Sequence, residues 1–316
     1  MIALKKTVVQ FLFTTPPKYR AIFSQQENIR RIAYSRSKRI INYISYQIFL
    51  RQRYQERTNR LRALVPIHRG QRALLVANGP SLKKINVMKL RELQLNKKIV
   101  IFGVNYSPLL IENKLRKQVH VDFLVLSDYC MHPRHQSELN QIFWNLVRET
   151  ETQIITPANW CDPETFPHCR SDECLHFNDF GTEDIFRHIN PIKTRNYISL
   201  TSLKALAICR YLEFNRIYLI GLDNNFFYGM QVDERLNLIE NSHHSTRIQH
   251  FDSDVSHYWP LGLGDYFYFV SKLFIDLRNY FDYENITNLD VNSLNDIHKK
   301  IDATDALFEL VARESK

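Results

Sequence analysis

The sequence lacks a run of the roughly 18 to 20 uncharged apolar residues that a membrane-spanning helix requires. Its first apolar run, Thr7 to Phe13, is short, and no small-residue cleavage site precedes Pro16-Pro17, so a secretory signal is not expected. Cysteine is scarce, and its number in these 316 residues is odd: Cys130, Cys161, Cys169, Cys174 and Cys209. These absences favour reduced thiols and a cytoplasmic protein.

The glycine-rich nucleotide fingerprints are also absent. The chain contains neither G-x-G-x-x-G nor G-x-x-x-x-G-K-[ST], and it has no internal repeat and no low-complexity tract. A hydrophobic content of 44% is nevertheless normal for a protein with a real core. A nucleotide site in this chain therefore has to be built from other residues.

Positive charge is concentrated at the N-terminus. Residues 1 to 70 hold 15 Lys and Arg against Glu27 and Glu56, so they carry +13, while the whole chain carries +9 and the remainder −4. Such a segment can bind nucleic acid, anionic lipid headgroups or an acidic partner, or it can be a solvated helix without a dedicated partner. Nucleic acid is the least favoured of these because nothing but the charge supports it.

Residues 26–64 contain neither Pro nor Gly, and their apolar residues recur at helical spacing. Eleven uncharged residues rich in Ile, Tyr and Phe lie between Arg39 and Arg51. An interfacial helix has this composition because its apolar side chains enter the headgroup region while Arg stays with the phosphates. We expect this helix either to bind an anionic membrane surface, on the inner face of the membrane, or to pack on the domain that follows.

After Gly70 the pattern changes to short apolar runs that alternate with helical stretches. Strands are predicted at Arg72 to Ala77, Lys98 to Gly103, Val121 to Leu126, Gln153 to Thr156, Cys174 to Phe177, Arg216 to Gly221 and Ile286 to Leu289. Helices are predicted at Leu82 to Leu93, Ser199 to Leu212, Gly264 to Tyr280 and in the terminal residues, and a polar excursion without regular structure from Asp223 to Leu263. The alternation predicts an α/β, Rossmann-like fold: a mostly parallel sheet with helices on both faces in residues 69–316, preceded by a basic helical segment in residues 1–68.

Polar residues follow four of the predicted strands. In open α/β sheets, ligands bind beyond the carboxyl ends of the strands, so these residues should meet at one edge. Gly79 allows close approach of the backbone to a ligand, and Ser81 can cap the following helix and donate to a phosphate. The strand ends in question are Asn78-Gly79-Pro80-Ser81, Asn105, Ser127-Asp128 and Asp223-Asn224-Asn225.

The run Leu74 to Leu82 resembles the N-terminal nucleotide motif of the bacterial sialyltransferases of glycosyltransferase family 42, and also a broader group of Rossmann-like capsule, lipopolysaccharide and flagellin glycosylation proteins. The resemblance covers about residues 72 to 300 and continues in the same order. Further similar positions are Asn105, Ser127, Thr201-Ser202, Tyr218 to Asp223, Ser256-His257-Tyr258 and Asn292-Ser293-Leu294.

The resemblance implies inverting transfer of a sugar, in that family a nonulosonate from a CMP donor, onto a hydroxyl of a bacterial surface glycan or lipid-linked glycan. It implies that Asn78, Gly79, Ser81 and Asn105, with Ser127, Thr201, Ser202, Asp223 and Tyr258, bind the donor. A CMP donor is expected before a UDP donor, with no resident cofactor and no metal. Where that family has its general-base His, this chain has Leu261, so His257, Asp265 and His250 are the candidate bases.

Two other groups of residues have the composition of metal sites. Asp252-Ser253-Asp254 has the form of a diphosphate-metal motif, and Cys161, His168, Cys169, Cys174 and His176 fall close enough to supply zinc ligands, although without paired C-x-x-C spacing. Two other functions remain as well. One is a pterin-type pyrophosphokinase using ATP and Mg²⁺ on Asp128 and Asp223, and the other is a non-catalytic nucleotide-binding assembly module, which the loss of His at Leu261 favours.

Overall fold

The fold is seen in a computed structural model, which describes residues 37, 40–108, 120–128, 131–132, 137–160, 174–182, 185–222, 230–232, 238–240, 257–258 and 263–303. Within these residues the main element is a parallel sheet of eight strands. Its strands are β1 (Arg72–Val76), β2 (Val100–Val104), β3 (Phe123–Val125), β4 (Gln153–Pro157), β5 (Leu175–Phe177), β6 (Arg216–Ile220), β10 (Ile286–Asn288) and β11 (Lys299–Lys300). Across the sheet they follow the order β11-β10-β6-β1-β2-β3-β4-β5. The predicted α/β fold is confirmed.

Helices cover both faces of this sheet. Alternate residues of each strand point to opposite faces, so Leu74 and Val76 enter one core and Ala73 and Leu75 the other. The first core is closed by α3 (Val87–Leu95) and α4 (Glu138–Glu149), and the second by α1 (Arg51–Ala63), α5 (Thr201–Tyr211) and α6 (Leu263–Phe281). A short helix, α2 (Val65–His68), leads from α1 to the sheet.

The described part of the N-terminal segment packs on the edge of the sheet. Residues 40–49 are helical, and hydrogen bonds from Leu50 N to Tyr46 O and from Tyr54 N to Leu50 O carry the helix into α1. Leu61 is fully buried in the second core, and Arg57 and Arg60 donate to the carbonyls of Ala158 and Cys174 beside β4 and β5. At least residues 43–63 are therefore attached to the domain that follows.

The connection after β6 differs from its prediction. The predicted unstructured excursion contains a three-stranded antiparallel sheet, β7 (Met230–Val232), β8 (Leu238–Glu240) and β9 (His257–Tyr258). Strands this short carry too few residues for an alternating pattern to stand out. The prediction of helices near the C-terminus is also wrong at Lys299–Lys300, which pair with β10 as a strand.

Two further observations concern the helices and the cysteines. None of the helices in the described part of the chain is long and apolar enough to cross a membrane. Cys174 is disulfide-bonded, which corrects the expectation that the cysteines are reduced, whereas Cys209 is a buried free thiol.

Candidate functional site

The strand order reverses between β1 and β6, and the backbones approach each other closely at this point. From β1 the strands β2 to β5 follow to one side, while β6, β10 and β11 lie on the other. Gly221, just after β6, has a φ of 75°, and a Cβ on it would lie 2.3 Å from the carbonyl oxygen of Ala77. Only glycine fits there, because both the backbone conformation and the space exclude a side chain. In open α/β sheets such a switch point is the usual ligand crevice.

The turn after β1 is tied to the end of β6. Gly79 N donates to Gly221 O at 2.8 Å, and Gly221 N donates to the buried hydroxyl oxygen of Ser81 at 2.9 Å. The helix predicted from Leu82 to Leu93 is confirmed from Val87 onward, but its start is wrong: Pro80–Lys84 form a 3₁₀ helix, and α3 begins only at Val87. Ser81 is consequently not its cap, a role taken by the side chain of Asn86, which accepts from Lys89 N.

A second polar cluster lies at the ends of β2 and β3 and the start of α5. Lys204 Nζ donates to Ser127 Oγ at 3.1 Å, Ser127 Oγ lies 2.6 Å from Thr201 Oγ1, and Thr201 Oγ1 donates to Asp128 Oδ1 at 3.2 Å. Because Lys204 can only donate and Thr201 gives its proton to the carboxylate, Ser127 must donate to Thr201. The chain of hydrogen bonds therefore runs in one direction, from Lys204 to Asp128.

This chain of hydrogen bonds ends at Asn105. The amide nitrogen of Asn105 donates to Asp128 Oδ2, and since a carboxylate only accepts, the amide cannot be turned the other way. The carbonyl oxygen of Asn105 is then left buried and without a hydrogen-bond partner among the described residues, on a side chain that is 9% exposed. A buried acceptor without a partner is costly, so a ligand that donates to it is the simplest explanation.

The backbone of Asn105 is also unusual. Its φ is 51°, in the left-handed region that most residues avoid and Asn tolerates best. The pairing of Val76 with Gly103 places Asn78 and Asn105 two residues further on, at neighbouring strand ends. The two polar clusters thus share the carboxyl edge of the sheet, meaning the edge formed by the carboxyl ends of its parallel strands.

Behind this edge lies a buried group of charges that sequence reasoning missed. Lys204 is 2% exposed and donates to Asp179 Oδ2 at 2.7 Å, while Arg195 Nε donates to Asp179 Oδ1 at 2.8 Å. Burial lowers the pKa of Lys204, and the carboxylate of Asp179 opposes that shift. Asp179 could have been found as a polar residue just after β5, but Lys204 sits within a helix and Arg195 in an irregular segment, where no local pattern marks them.

The other predicted site residues divide into two groups. Ser202 is buried in the first turn of α5, His257 and Tyr258 form β9, and Asp265 lies in the first turn of α6; for His257, Tyr258 and Asp265 only the backbone is described. Two predicted site residues, Asp223 and His250, lie outside the described residues. So do the Asp252-Ser253-Asp254 triplet and Leu261, which stands where the family has its general-base His. The choice of general base stays a prediction.

The zinc hypothesis loses one of its two described members, Cys174. Cys174 is in a disulfide, so its sulfur is not a free thiolate, and His176 Nδ1 pairs with Thr156 Oγ1 at 3.0 Å. Across the described part of the chain, no three His, Cys, Asp or Glu side chains are grouped as metal ligands would be. Cys161, His168 and Cys169 lie outside it.

No family model matches this chain, and no curated protein is significantly similar to it. The features that bear on function are therefore the geometry of the carboxyl edge and the resemblance of its motifs.

Proposed function

We propose that the protein is a glycosyltransferase that binds a nucleotide-sugar donor at the carboxyl edge and transfers the sugar to a bacterial surface glycan, without a metal. The observation that carries this proposal is the buried carbonyl oxygen of Asn105, which has no hydrogen-bond partner among the described residues. It stands at an edge where the strand order reverses, beside a carboxylate and two hydroxyls that are held in fixed positions.

This arrangement indicates which hydrogen-bond donors the ligand must carry. Asn105 Oδ1 and the exposed carboxylate of Asp128 are both acceptors, so they fit amino or hydroxyl groups. Cytosine presents an amino group where uracil presents a carbonyl oxygen, which would face another acceptor here. A CMP donor therefore fits better than a UDP donor, and ribose hydroxyls suit Asp128.

The leaving phosphate needs positive potential, and α5 can supply it. This helix starts at the carboxyl edge with Thr201 and Ser202, and no side chain caps its N-terminus. Free N–H groups and the dipole of a helix N-terminus stabilise anions. The five-residue 3₁₀ helix after Gly79 is too short to do the same, so we assign the phosphate to α5 instead of to Ser81.

Two other functions compete with this one. A pyrophosphokinase would hold Mg²⁺ on carboxylates; of its two candidate ligands, Asp128 is engaged by Asn105 and Thr201, and Asp223 lies outside the described residues. Adenine, however, also carries an amino group, so ATP has to be compared with CMP directly. A non-catalytic module would bind the nucleotide but transfer nothing.

The test is binding of CMP, UDP and ATP to the full chain, measured by calorimetry and by thermal stabilisation, for wild type and Asn105→Gly. Glycine keeps the positive φ and removes only the side chain, so the fold should survive. Loss of one hydrogen bond to a buried acceptor should weaken CMP binding about tenfold. Lys97→Gly is the matched control, because Lys97 has a φ of 54° and lies at the exposed end of α3.

Strong stabilisation by ATP with none by CMP or UDP would replace the transferase by the kinase. CMP binding that is equal in wild type and Asn105→Gly would remove the observation on which the proposal depends. Nucleotide binding without transfer from any CMP-sugar would leave the assembly module.

A further inference from the structure

One helix face in this molecule is apolar, exposed and opposite the face that packs on the domain. In residues 40–49, Ile44 is 50% exposed and Ile48 66%, and Ile40, Ile41 and Phe49 are exposed as well. On the other side, Tyr46 is buried against Phe180, with ring centroids 5.0 Å apart, and its hydroxyl accepts from Asn178 Nδ2 at 2.7 Å. The exposed side chains are thus fixed in direction by a firmly packed inner face.

The helix becomes basic beyond Leu50, where the backbone departs from helical geometry with a φ of −121° and α1 begins. In α1, Arg51, Arg53 and Arg62 are exposed, whereas Thr58, which ideal helical spacing would put in line with Ile40, is buried. Glu56 is the single acidic residue among residues 40–63. An exposed apolar half, residues 40–49, is therefore followed along the chain by a basic half, α1.

We propose that this surface docks the protein on an anionic lipid membrane, with the isoleucines in the headgroup region and the arginines on lipid phosphates. Charge selects this occupant. A second copy of the chain would bring the exposed Arg51, Arg53 and Arg62 against the same three arginines, so like charges would oppose it. An anionic membrane satisfies both halves, since it offers an apolar interior below a negative surface.

The docking test uses the full chain, because the structure shows that deleting residues 1–64 would remove Leu61 and Tyr54 from buried positions. Wild type is mixed with phosphatidylcholine vesicles with and without about 30% phosphatidylglycerol, and the bound fraction is measured by co-sedimentation. Binding should require the anionic lipid and should fall as salt is raised from about 0.1 M to about 0.5 M.

Two sets of variants separate the apolar from the basic contribution. Ile44→Glu and Ile48→Glu should each lower vesicle partition about tenfold or more, because each removes an inserted apolar side chain and adds a repelled charge. Arg51→Gln with Arg62→Gln should reduce the preference for anionic over neutral vesicles. Ile275→Glu is the matched control, since Ile275 is 52% exposed on α6 and should leave binding unchanged.

Equal vesicle binding by wild type and both Ile→Glu variants would overturn the proposal. So would a concentration-dependent dimer in light scattering that Ile44→Glu abolishes, because the face would then belong to a second copy. Neither outcome depends on the proposed transferase activity, since the measurement involves no nucleotide and no sugar.

Discussion

His176 gives a prediction in which pH acts on a single buried group. It lies on β5 under α1, and burial lowers its pKa from the ordinary 6.5 to about 4, with the positive charge of Arg57 adding to the shift. The folded protein thus keeps this imidazole neutral. Above about pH 6.5 both the folded and the unfolded states are neutral, and the group contributes nothing to the pH dependence of stability.

As the pH falls below about 6.5, the imidazole of His176 is protonated in the unfolded chain but stays neutral in the folded protein. The free energy of unfolding therefore decreases from about pH 6.5 down to about pH 4, by about 3 kcal/mol in all at about 1.4 kcal/mol for each pH unit. Urea unfolding of wild type and His176→Gln at about pH 7 and about pH 4.5 measures the effect. Wild type should lose about 2 to 3 kcal/mol more than the variant over that interval.

Two comparisons make this prediction specific. His120→Gln removes a half-exposed histidine, so an equal loss of pH dependence in this variant would show that the effect does not come from His176. Hydrogen exchange should show α1 becoming less protected at acid pH, because a charged His176 would face Arg57 and Arg60. If His176→Gln and wild type lose the same free energy between the two pH values, the assigned burial of this group is wrong.

Three further predictions concern the candidate site. Gly221→Ala should lower the free energy of unfolding, measured with urea, by about 3 kcal/mol or more. The reason is that a Cβ would lie 2.3 Å from Ala77 O on a backbone whose φ is 75°. A variant as stable as wild type would contradict the close approach of β1 and β6. Lys204→Met should weaken CMP binding about tenfold by calorimetry, because Lys204 starts the hydrogen bonds that orient Asp128. Lys193→Met, at an exposed lysine, should leave the affinity unchanged. Equal affinities of wild type and Lys204→Met would reduce Lys204 to a structural role. His257→Ala or Asp265→Ala should lower sugar transfer by about 10²- to 10⁴-fold at nearly constant donor affinity, whereas Asp223→Ala should weaken donor binding. Full transfer by both the His257 and the Asp265 variant would place the base elsewhere.

The sheet could be predicted from the sequence because its strands are buried on both faces. Runs such as Leu74-Leu75-Val76 and Tyr218-Leu219-Ile220 need no alternation and are bounded by polar turns, so they stand out. Helix α4 was missed even though Ser137 caps it, its hydroxyl accepting from Asn140 N at 3.1 Å. The break between Lys84 and Val87 depends on a competing cap at Asn86, which captures Lys89 N and starts a new helix.

The sequence predicts where the site lies, but not which of its side chains form hydrogen bonds with each other. The strand-end rule places Asn105, Ser127 and Thr201 at one edge, and the structure brings all three together around Asp128. The hydrogen-bonded partners lie 23 to 77 positions apart in the sequence, as with Asn105 and Asp128 or Lys204 and Ser127. No local pattern encodes such pairings, and so the unpartnered oxygen of Asn105 became visible only once its amide nitrogen had been assigned.

The two proposals meet at β5. Asn178 follows that strand and donates to Tyr46, which anchors the apolar helix face, while the next residue, Asp179, accepts from Lys204 of the candidate site. The helix passes β5 with Tyr46 near the carboxyl end of the strand and Arg60 near its start at Cys174. Its apolar half thus lies towards the edge at which the nucleotide is proposed to bind. If both proposals hold, docking brings that edge to the leaflet surface, and a lipid-linked acceptor reaches the donor from the membrane side. Addition of anionic vesicles should then raise transfer to a lipid-linked acceptor, through a lower KM, and leave transfer to a water-soluble acceptor unchanged. An equal effect on both acceptors would mean that the membrane alters the enzyme itself, and this geometric link between the two surfaces would be refuted.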